Sequence, residues 1–119
     1  MDSDRYQRVI EVSELPVGRM SSCQVAGREI VICHSAAGFH ALAGVCTHAE
    51  SRMAEGRLRG TRIICPLHAA AFDVRDGRVL SGPATQPLDT YDVRIRDGAV
   101  EVAVEARGAR ALGGNAPDC

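Results

Sequence analysis

Short apolar-rich segments separated by turn residues run through most of the chain. Seven of them are predicted as strands: residues 8–12, 20–25, 29–34, 39–43, 61–64, 90–95 and 99–104. Ala26-Gly27 predicts a tight turn between the second and third of these segments, and Asp97-Gly98 predicts one between the last two. No long stretch of the sequence shows the periodicity of an amphipathic helix. Many short strands at close spacing indicate an all-β fold, either a β-sandwich or a small barrel.

Three loops and a tail interrupt this pattern. The loops span residues 44–60, 65–71 and 81–88. The tail, residues 105–119, is rich in Ala and Gly, and we expect it to be largely disordered. A chain of 119 residues is enough for one ordinary domain, which we place at residues 1–104.

Composition narrows the classes of function. The net charge is −1, so the sequence does not predict a nucleic-acid partner, which would call for a basic stripe. The chain shows no apolar segment of the ~20 residues that a membrane helix needs, and no secretory signal pattern. We therefore expect a cytoplasmic protein. Disulfides are rare in that compartment, so the five cysteines first suggest metal binding.

Two Cys/His pairs carry the candidate chemistry. They are Cys46-Thr47-His48 and Cys65-Pro66-Leu67-His68, and each pair lies in a loop that follows a predicted strand. A Cys2His2 set fits structural zinc, and it also fits a Rieske [2Fe–2S] cluster, in which two Cys hold one iron and two His hold the other. Zinc pairs usually run Cys–Cys and His–His, whereas here each loop supplies one Cys and one His. This spacing favours the cluster, with a zinc-stabilised interaction module as the alternative.

The same residues resemble the Rieske signature C-x-H…C-x-x-H. The resemblance extends over about residues 8–104 and includes Phe72-Asp73, Gly77 and Gly82-Pro83-Ala84. It implies an antiparallel β-sandwich with a smaller cluster-binding subdomain. It further implies that Cys46 and Cys65 bind the inner iron, and that His48 and His68 bind the outer iron and face solvent at a docking surface.

Four positions separate two branches of this family. High-potential members carry a disulfide between the ligand loops, and the matching residues here are Ser51 and Leu67. Those members also carry a Ser and a Tyr that bond to cluster or ligand sulfur, and Ala70 and Phe72 stand at the matching positions. Fewer hydrogen bonds to sulfur stabilise the reduced cluster less. The resemblance therefore implies a low-potential cluster.

In length and ligand set the chain resembles the stand-alone ferredoxins of bacterial aromatic-ring-hydroxylating dioxygenase systems. Such a ferredoxin is not itself an enzyme. It takes electrons from an NAD(P)H-dependent flavin reductase and passes them singly to a terminal Rieske oxygenase. The runner-up is the small subunit of an NADH-dependent nitrite reductase. We expect a monomer, because a carrier docks with two partners in turn.

The remaining His, Cys and Gly residues have ordinary structural interpretations. His34 and His40 alone do not make the two-His, one-carboxylate iron site of an oxygenase. A two-residue turn at Ala26-Gly27 pairs Cys23 with Ile30, not with Cys33, so these cysteines are expected to be small buried hydrophobes. The glycines that flank the first ligand loop, Gly44 and Gly56, fit either close approach of the backbone to a cluster or simple turn chemistry.

Overall fold

The computed structural model describes residues 5–46, 51–66, 70–82 and 86–106. These residues form ten strands: β1 (Tyr6–Glu11), β2 (Met20–Val25), β3 (Arg28–Ser35), β4 (Gly38–Ala43), β5 (Arg57–Arg59), β6 (Arg62–Ile64), β7 (Ala71–Asp73), β8 (Val79–Ser81), β9 (Thr90–Arg96) and β10 (Ala99–Ala106). Two short 3-10 helices, Val12–Glu14 and Met53–Glu55, lie wholly within this part of the chain. Every strand pairing in it is antiparallel, which confirms the predicted all-β class.

Six strands form the larger sheet, in the order β1-β10-β9-β4-β3-β2. The sheet curls so that its two edge strands come together, and the side-chain amide of Gln7 in β1 donates a 2.8 Å hydrogen bond to the carbonyl of Gln24 in β2. The result is a nearly closed barrel. Closure of this kind removes most of the exposed strand edge that an open sheet leaves.

Both predicted two-residue turns are confirmed. Ala26 and Gly27 have φ values of 52° and 82°, and Asp97 and Gly98 have values of 52° and 77°. Two successive residues at positive φ match the twist of the flanking strands, which is why Gly is favoured at the second position. The first turn sets the register of its hairpin, and Cys23 pairs with Ile30 as predicted.

Strands β3 and β4 separate two hydrophobic cores. Alternate residues of β3 face opposite sides, and both sets are buried. Ile30 and Ile32 join the core of the barrel, whereas Val31 and Cys33 join a second core. That second core is shared with the smaller sheet, and it also holds the predicted ligands Cys46 and Cys65. The smaller sheet is therefore fastened to the barrel by apolar packing.

The smaller sheet has the order β5-β6-β7-β8. The predicted loop over residues 44–60 is wrong in its second half, which holds the 3-10 helix Met53–Glu55 and strand β5. Strand β10 also continues to Ala106, two residues beyond the predicted end of the domain, and residues 107–119 of the predicted tail lie outside the described residues. Within the described ranges, helices long and apolar enough to cross a membrane are absent.

Candidate metal centre

The two predicted ligand loops close in the same way. The backbone N–H of Cys46 donates to the carbonyl of Ser51 at 3.0 Å, and the N–H of Cys65 donates to the carbonyl of Ala70 at 2.8 Å. In each loop the closing carbonyl therefore belongs to the fifth residue after the cysteine. The predicted ligands His48 and His68 fall within these loops, and both lie outside the described residues. The structure therefore places the two predicted cysteine ligands at the start of matched loops.

Contacts with the barrel hold the first loop in place. The N–H of Gly44 donates to the carbonyl of Glu29 at 2.9 Å, and the N–H of Met53 donates to the carbonyl of Gly44 at 2.8 Å. Between these bonds, Val45 and Arg52 form an isolated antiparallel bridge. The Arg52 guanidinium also lies 2.7 Å from the Glu29 carboxylate. The loop therefore starts and ends on strand β3.

Two glycines let the backbone approach closely beside the loops. A Cβ atom on Gly56 would lie 1.9 Å from the carbonyl oxygen of Ile64, the residue before Cys65. A Cβ atom on Gly44 would lie 2.7 Å from Cγ of Glu29 and 3.0 Å from its carbonyl oxygen. The close approach seen here is to neighbouring chain atoms and not to a cluster. Glycine is needed at both positions because the segments that flank the ligand loops lie against other backbone there.

The side chains of Cys46 and Cys65 are buried, with 0% and 2% of their surface exposed. Their surroundings in the second core are apolar and include Met53, Ile63 and Phe72. A thiolate buried among such residues is costly unless a metal or hydrogen-bond donors compensate its charge. Two buried sulfurs at the roots of matched loops therefore suit a group that binds thiolate, and a bound iron cluster fits them.

The sequence analysis did not predict a contact between Ser51 and Cys65. The Ser51 hydroxyl oxygen, in the first ligand loop, lies 3.1 Å from Sγ of Cys65, which begins the second ligand loop. When Cys65 is a thiolate ligand it has no proton, so the Ser51 hydroxyl is the donor. By contrast, Ala70 and Phe72 are fully buried and bring no hydroxyl to the site. One sequence signal could have predicted this contact. Ser51 matches one cysteine of the disulfide that joins the two ligand loops in high-potential members, so its side chain is expected to lie against the Cys65 loop.

A buried carboxylate stabilises the far end of the smaller sheet. Asp73 is 2% exposed, and Arg75 donates to both of its oxygens at 3.0 and 2.8 Å. The hydrogen bonds from the Arg75 side chain are the main reason that the pKa of Asp73 is lowered to about 2, with the nearby charge of Arg78 acting in the same direction. Asp73 therefore stays ionised at neutral pH.

The remaining histidines have structural partners in the barrel. Nδ1–H of His34 donates to the carbonyl of Leu15 at 2.6 Å, and the ring stacks on Phe39 with centroids 3.8 Å apart. Nε2 of His40 lies 3.0 Å from the hydroxyl of Ser35. These contacts confirm the structural interpretation of both histidines.

Cys23 and Cys33 are not among the predicted ligands. Burial raises the pKa of the Cys33 thiol to about 12 and that of Cys23 to about 11, so both remain protonated at neutral pH. Cys33 is fully buried, as predicted, whereas Cys23 is only half-buried. In the described ranges, groups of three or more His, Cys, Asp or Glu side chains placed to hold a metal ion are absent. The two predicted histidines lie outside those ranges.

The sequence model of the Rieske [2Fe-2S] domain matches residues 5–92. The chain belongs to the Rieske family. Its cofactor is thus a Rieske-type [2Fe–2S] cluster, and the zinc alternative is not supported. The match covers both ligand loops, the barrel strands up to β9 and all of the smaller sheet.

Several curated Rieske relatives are ferredoxins of dioxygenase systems. The ferredoxin component of the naphthalene 1,2-dioxygenase system of Pseudomonas aeruginosa is 36% identical over 93 residues, which is 78% of this chain and 89% of the relative. The ferredoxin component of the 2,4-dinitrotoluene dioxygenase system of Burkholderia sp. (strain RASC) is 38% identical over 84 residues, covering 71% and 81% of the two chains.

Solved Rieske structures agree with this. The ferredoxin of carbazole 1,9a-dioxygenase from Nocardioides aromaticivorans IC177 gives a TM-score of 0.81 at 29% identity, covering 84% of this chain and 98% of that one. A chain in a complex of oxygenase and ferredoxin of carbazole 1,9a-dioxygenase gives 0.82 at 31% identity, with coverages of 87% and 96%. A protein assigned as an NADH-dependent nitrite reductase small subunit from Mycobacterium tuberculosis gives 0.74 at 21% identity, with coverages of 86% and 94%, and this likeness shows the shared fold alone.

Proposed function

We propose that this chain holds its cluster through Cys46 and Cys65 on one iron and through His48 and His68 on the other. The observation that supports this assignment is the pair of buried sulfurs at the roots of two loops with the same closing hydrogen bond. The histidines occupy the loop positions that the signature requires. On this assignment, each loop contributes one ligand to each iron.

When bound, the cluster supplies a site that takes up and releases one electron. The role of the protein is to hold that site in a fixed and partly dry environment. Apolar neighbours such as Met53 and Phe72 exclude water from the cysteine side, and the Ser51 hydroxyl donates to the Cys65 sulfur. Rigid ligands favour rapid electron exchange, because little has to rearrange when the charge changes.

The chain acts as an electron carrier between larger proteins. We infer that it receives electrons from an NAD(P)H-dependent flavin reductase and passes them to a terminal ring-hydroxylating Rieske oxygenase, as a monomer in the cytoplasm without nucleic-acid or membrane partners. Its curated relatives are ferredoxin components of such systems, at 36% and 38% identity. The nitrite reductase alternative rests on a structural likeness at 21% identity, so the dioxygenase assignment is the better supported.

The ligand assignment is tested on purified protein by iron analysis and by electron paramagnetic resonance after reduction with dithionite. Wild-type protein should bind two irons per chain and give a Rieske-type signal. Changing any proposed ligand, for example Cys46→Ala or His68→Ala, should abolish that signal. Cys23→Ala is the matched control and should leave it intact. A ligand variant that keeps the wild-type signal would refute the assignment.

The partner assignment needs a separate experiment. Tagged protein is used to capture partners from the native host, and each captured protein is purified. The candidates are then mixed with dithionite-reduced protein. A ring oxygenase that reoxidises the reduced cluster supports the proposal. Reoxidation by a sirohaem-containing subunit alone would favour the nitrite reductase alternative instead.

A further inference from the structure

Three arginines line one face of the smaller sheet. Arg57 and Arg59 are alternate residues of β5, so they lie on the same face, and Arg59 pairs directly with Arg62 of β6. All three are exposed, while the intervening Leu58 and Ile63 pack against the core. We call Arg57, Arg59 and Arg62 the arginine face.

The arginine face continues to the cluster-binding loop. Its three side chains line a groove of about 620 Å³, and Cys65 and Pro66 line the same groove. Arg57 pairs across the sheet with Ile64, which directly precedes the Cys65 ligand. A protein that occupied this groove would therefore contact the loop that carries one cysteine ligand of the cluster.

Ion pairs within the described part of the chain do not neutralise the positive charge of the arginine face. Other arginines of the smaller sheet are ion-paired, as Arg75 and Arg78 are with Asp73. Among the described residues, carboxylates within ion-pair distance of the arginine face are absent, and Glu55, which also lines the groove, pairs with Arg52. Arg62 also lies opposite Asp73 of β7, but that carboxylate is paired with Arg75 and Arg78. Like charges placed directly opposite each other on a sheet are destabilising, so pairing of β5 with β6 does not by itself explain the Arg59–Arg62 pair.

Charge is divided unequally between the two halves of the molecule. Described residues in the ranges 51–66 and 70–82 carry six arginines and three carboxylates, whereas those in the ranges 5–46 and 86–106 carry six arginines and eight carboxylates. The cluster-binding half is therefore positive and the barrel negative. Such a dipole orients a protein during its encounter with a charged partner.

We propose that the arginine face is the docking surface for an acidic face of the terminal oxygenase. This inference rests on the proposed function, which supplies the oxygenase as electron acceptor. The bound cluster would supply the single electron that the oxidised acceptor takes up, and the arginine face would hold an acidic acceptor beside the Cys65 loop. Attraction of this kind raises the association rate more than it raises affinity.

The test is stopped-flow reoxidation of the reduced protein by the captured oxygenase. The triple variant Arg57→Gln, Arg59→Gln, Arg62→Gln should react roughly tenfold more slowly at low salt. The wild-type advantage should shrink between about 0.01 M and about 0.15 M salt, as the Debye length falls from about 30 Å to about 8 Å. Visible and paramagnetic resonance spectra should be unchanged, because none of the three is a cluster ligand.

A matched triple variant controls for net charge. Arg5, Arg19 and Arg96 are exposed on the barrel half, and carboxylates of the described residues do not pair with them. Changing these three to Gln alters the total charge equally and should leave the rate near the wild-type value. An equal slowing in both triple variants would overturn the proposal, since overall charge would then explain it.

Small charged oxidants test the same surface without a protein partner. Reduced protein gives one electron to ferric EDTA, an anion, which becomes the ferrous chelate, or to hexaamminecobalt(III), a cation. The arginine-face variant should lose rate with the anion and gain rate with the cation. Unchanged rates with both reagents and with the oxygenase would overturn the inference. If the wild-type protein gives no electron to any oxygenase, the proposed function itself fails.

Discussion

The two sheets of this molecule are built on different principles. The barrel has strands of six to eight residues, tight turns and a core of its own, whereas the smaller sheet has four strands of three residues each. Short strands bury little apolar surface by themselves. Within the described residues, the smaller sheet has no core of its own: it shares the second core with the barrel and adds close backbone contacts, one buried carboxylate and the Cys65 loop. The barrel is therefore a scaffold, and we expect the stability of the attached smaller sheet to depend on the bound cluster.

Loss of the cluster should have the largest effect, and it should be confined to one sheet. In Cys65→Ala protein, amide hydrogen exchange in β5–β8 should become roughly tenfold faster or more, because metal ligation there contributes to local stability. Exchange in β2, β3 and β9 should remain close to wild type. Hydrogen exchange followed by mass spectrometry measures this directly. Equal acceleration in both sheets would contradict the division between scaffold and attachment.

Gly56→Ala should disturb the smaller sheet nearly as strongly. The added methyl group would lie 1.9 Å from the carbonyl oxygen of Ile64, so the backbone beside Cys65 has to move. We expect a loss of about 1–3 kcal/mol in the free energy of unfolding, together with faster loss of iron to a chelator. Both are measured by denaturant titration and by iron release.

Gly82→Ala is the matched control for Gly56→Ala. Among the described residues, and leaving out the residues next to it in the chain, no atom would lie within 4 Å of a Cβ added to Gly82. This variant should retain iron and stability at wild-type levels. Should Gly56→Ala behave like the control, close approach at Gly56 would not be what positions the Cys65 loop.

The same division explains what the sequence could predict. In the barrel, β2 has the predicted bounds and the strands at Thr90–Arg96 and Ala99–Ala106 differ from the predicted segments by one and two residues. Their length lets apolar alternation and turn residues act together. A three-residue strand such as Arg57–Arg59 holds a single apolar side chain, so alternation gives no signal. Its structure follows from tertiary pairing with β6.

The candidate ligands were easier to predict from the sequence than the residues that surround them in space. Residue type, order and spacing predict Cys46 and Cys65 as ligands, and both cysteines lie where matched loops begin. The Ser51 contact and the arginine face depend on which strands and loops become neighbours in space. Packing of the second core determines which residues become neighbours in this way, and the spacing of residues along the sequence does not predict it.

Asp73→Asn should have a smaller effect with a distinct dependence on pH. The folded pKa of about 2 lies below the ordinary aspartate pKa of 3.8, so ionised Asp73 stabilises the folded state above the unfolded pKa. We expect a loss of about 2 kcal/mol in unfolding free energy at neutral pH. The difference between wild type and variant should be constant from about pH 8 to about pH 5 and should shrink below about pH 4, as the carboxyl group becomes protonated.

Denaturant titrations at several pH values measure this difference. Arg8→Gln serves as a control, because its ion pair with Glu11 is exposed and such pairs contribute little. A pH-independent difference for Asp73→Asn would show that the shape of the side chain, and not its charge, stabilises the turn between β7 and β8.

Ser51→Ala should leave both sheets intact and change only the electron affinity of the cluster. The hydroxyl lies 3.1 Å from Sγ of Cys65, and a hydrogen bond to sulfur strengthens as the cluster gains negative charge on reduction. If that gain is about 1 kcal/mol, the midpoint potential of the variant falls by about 40 mV. Protein-film voltammetry measures the shift, and Ser51→Thr, which keeps a hydroxyl, should restore most of the potential. Equal potentials in wild type and Ser51→Ala would mean that the Ser51 contact with Cys65 does not tune the cluster.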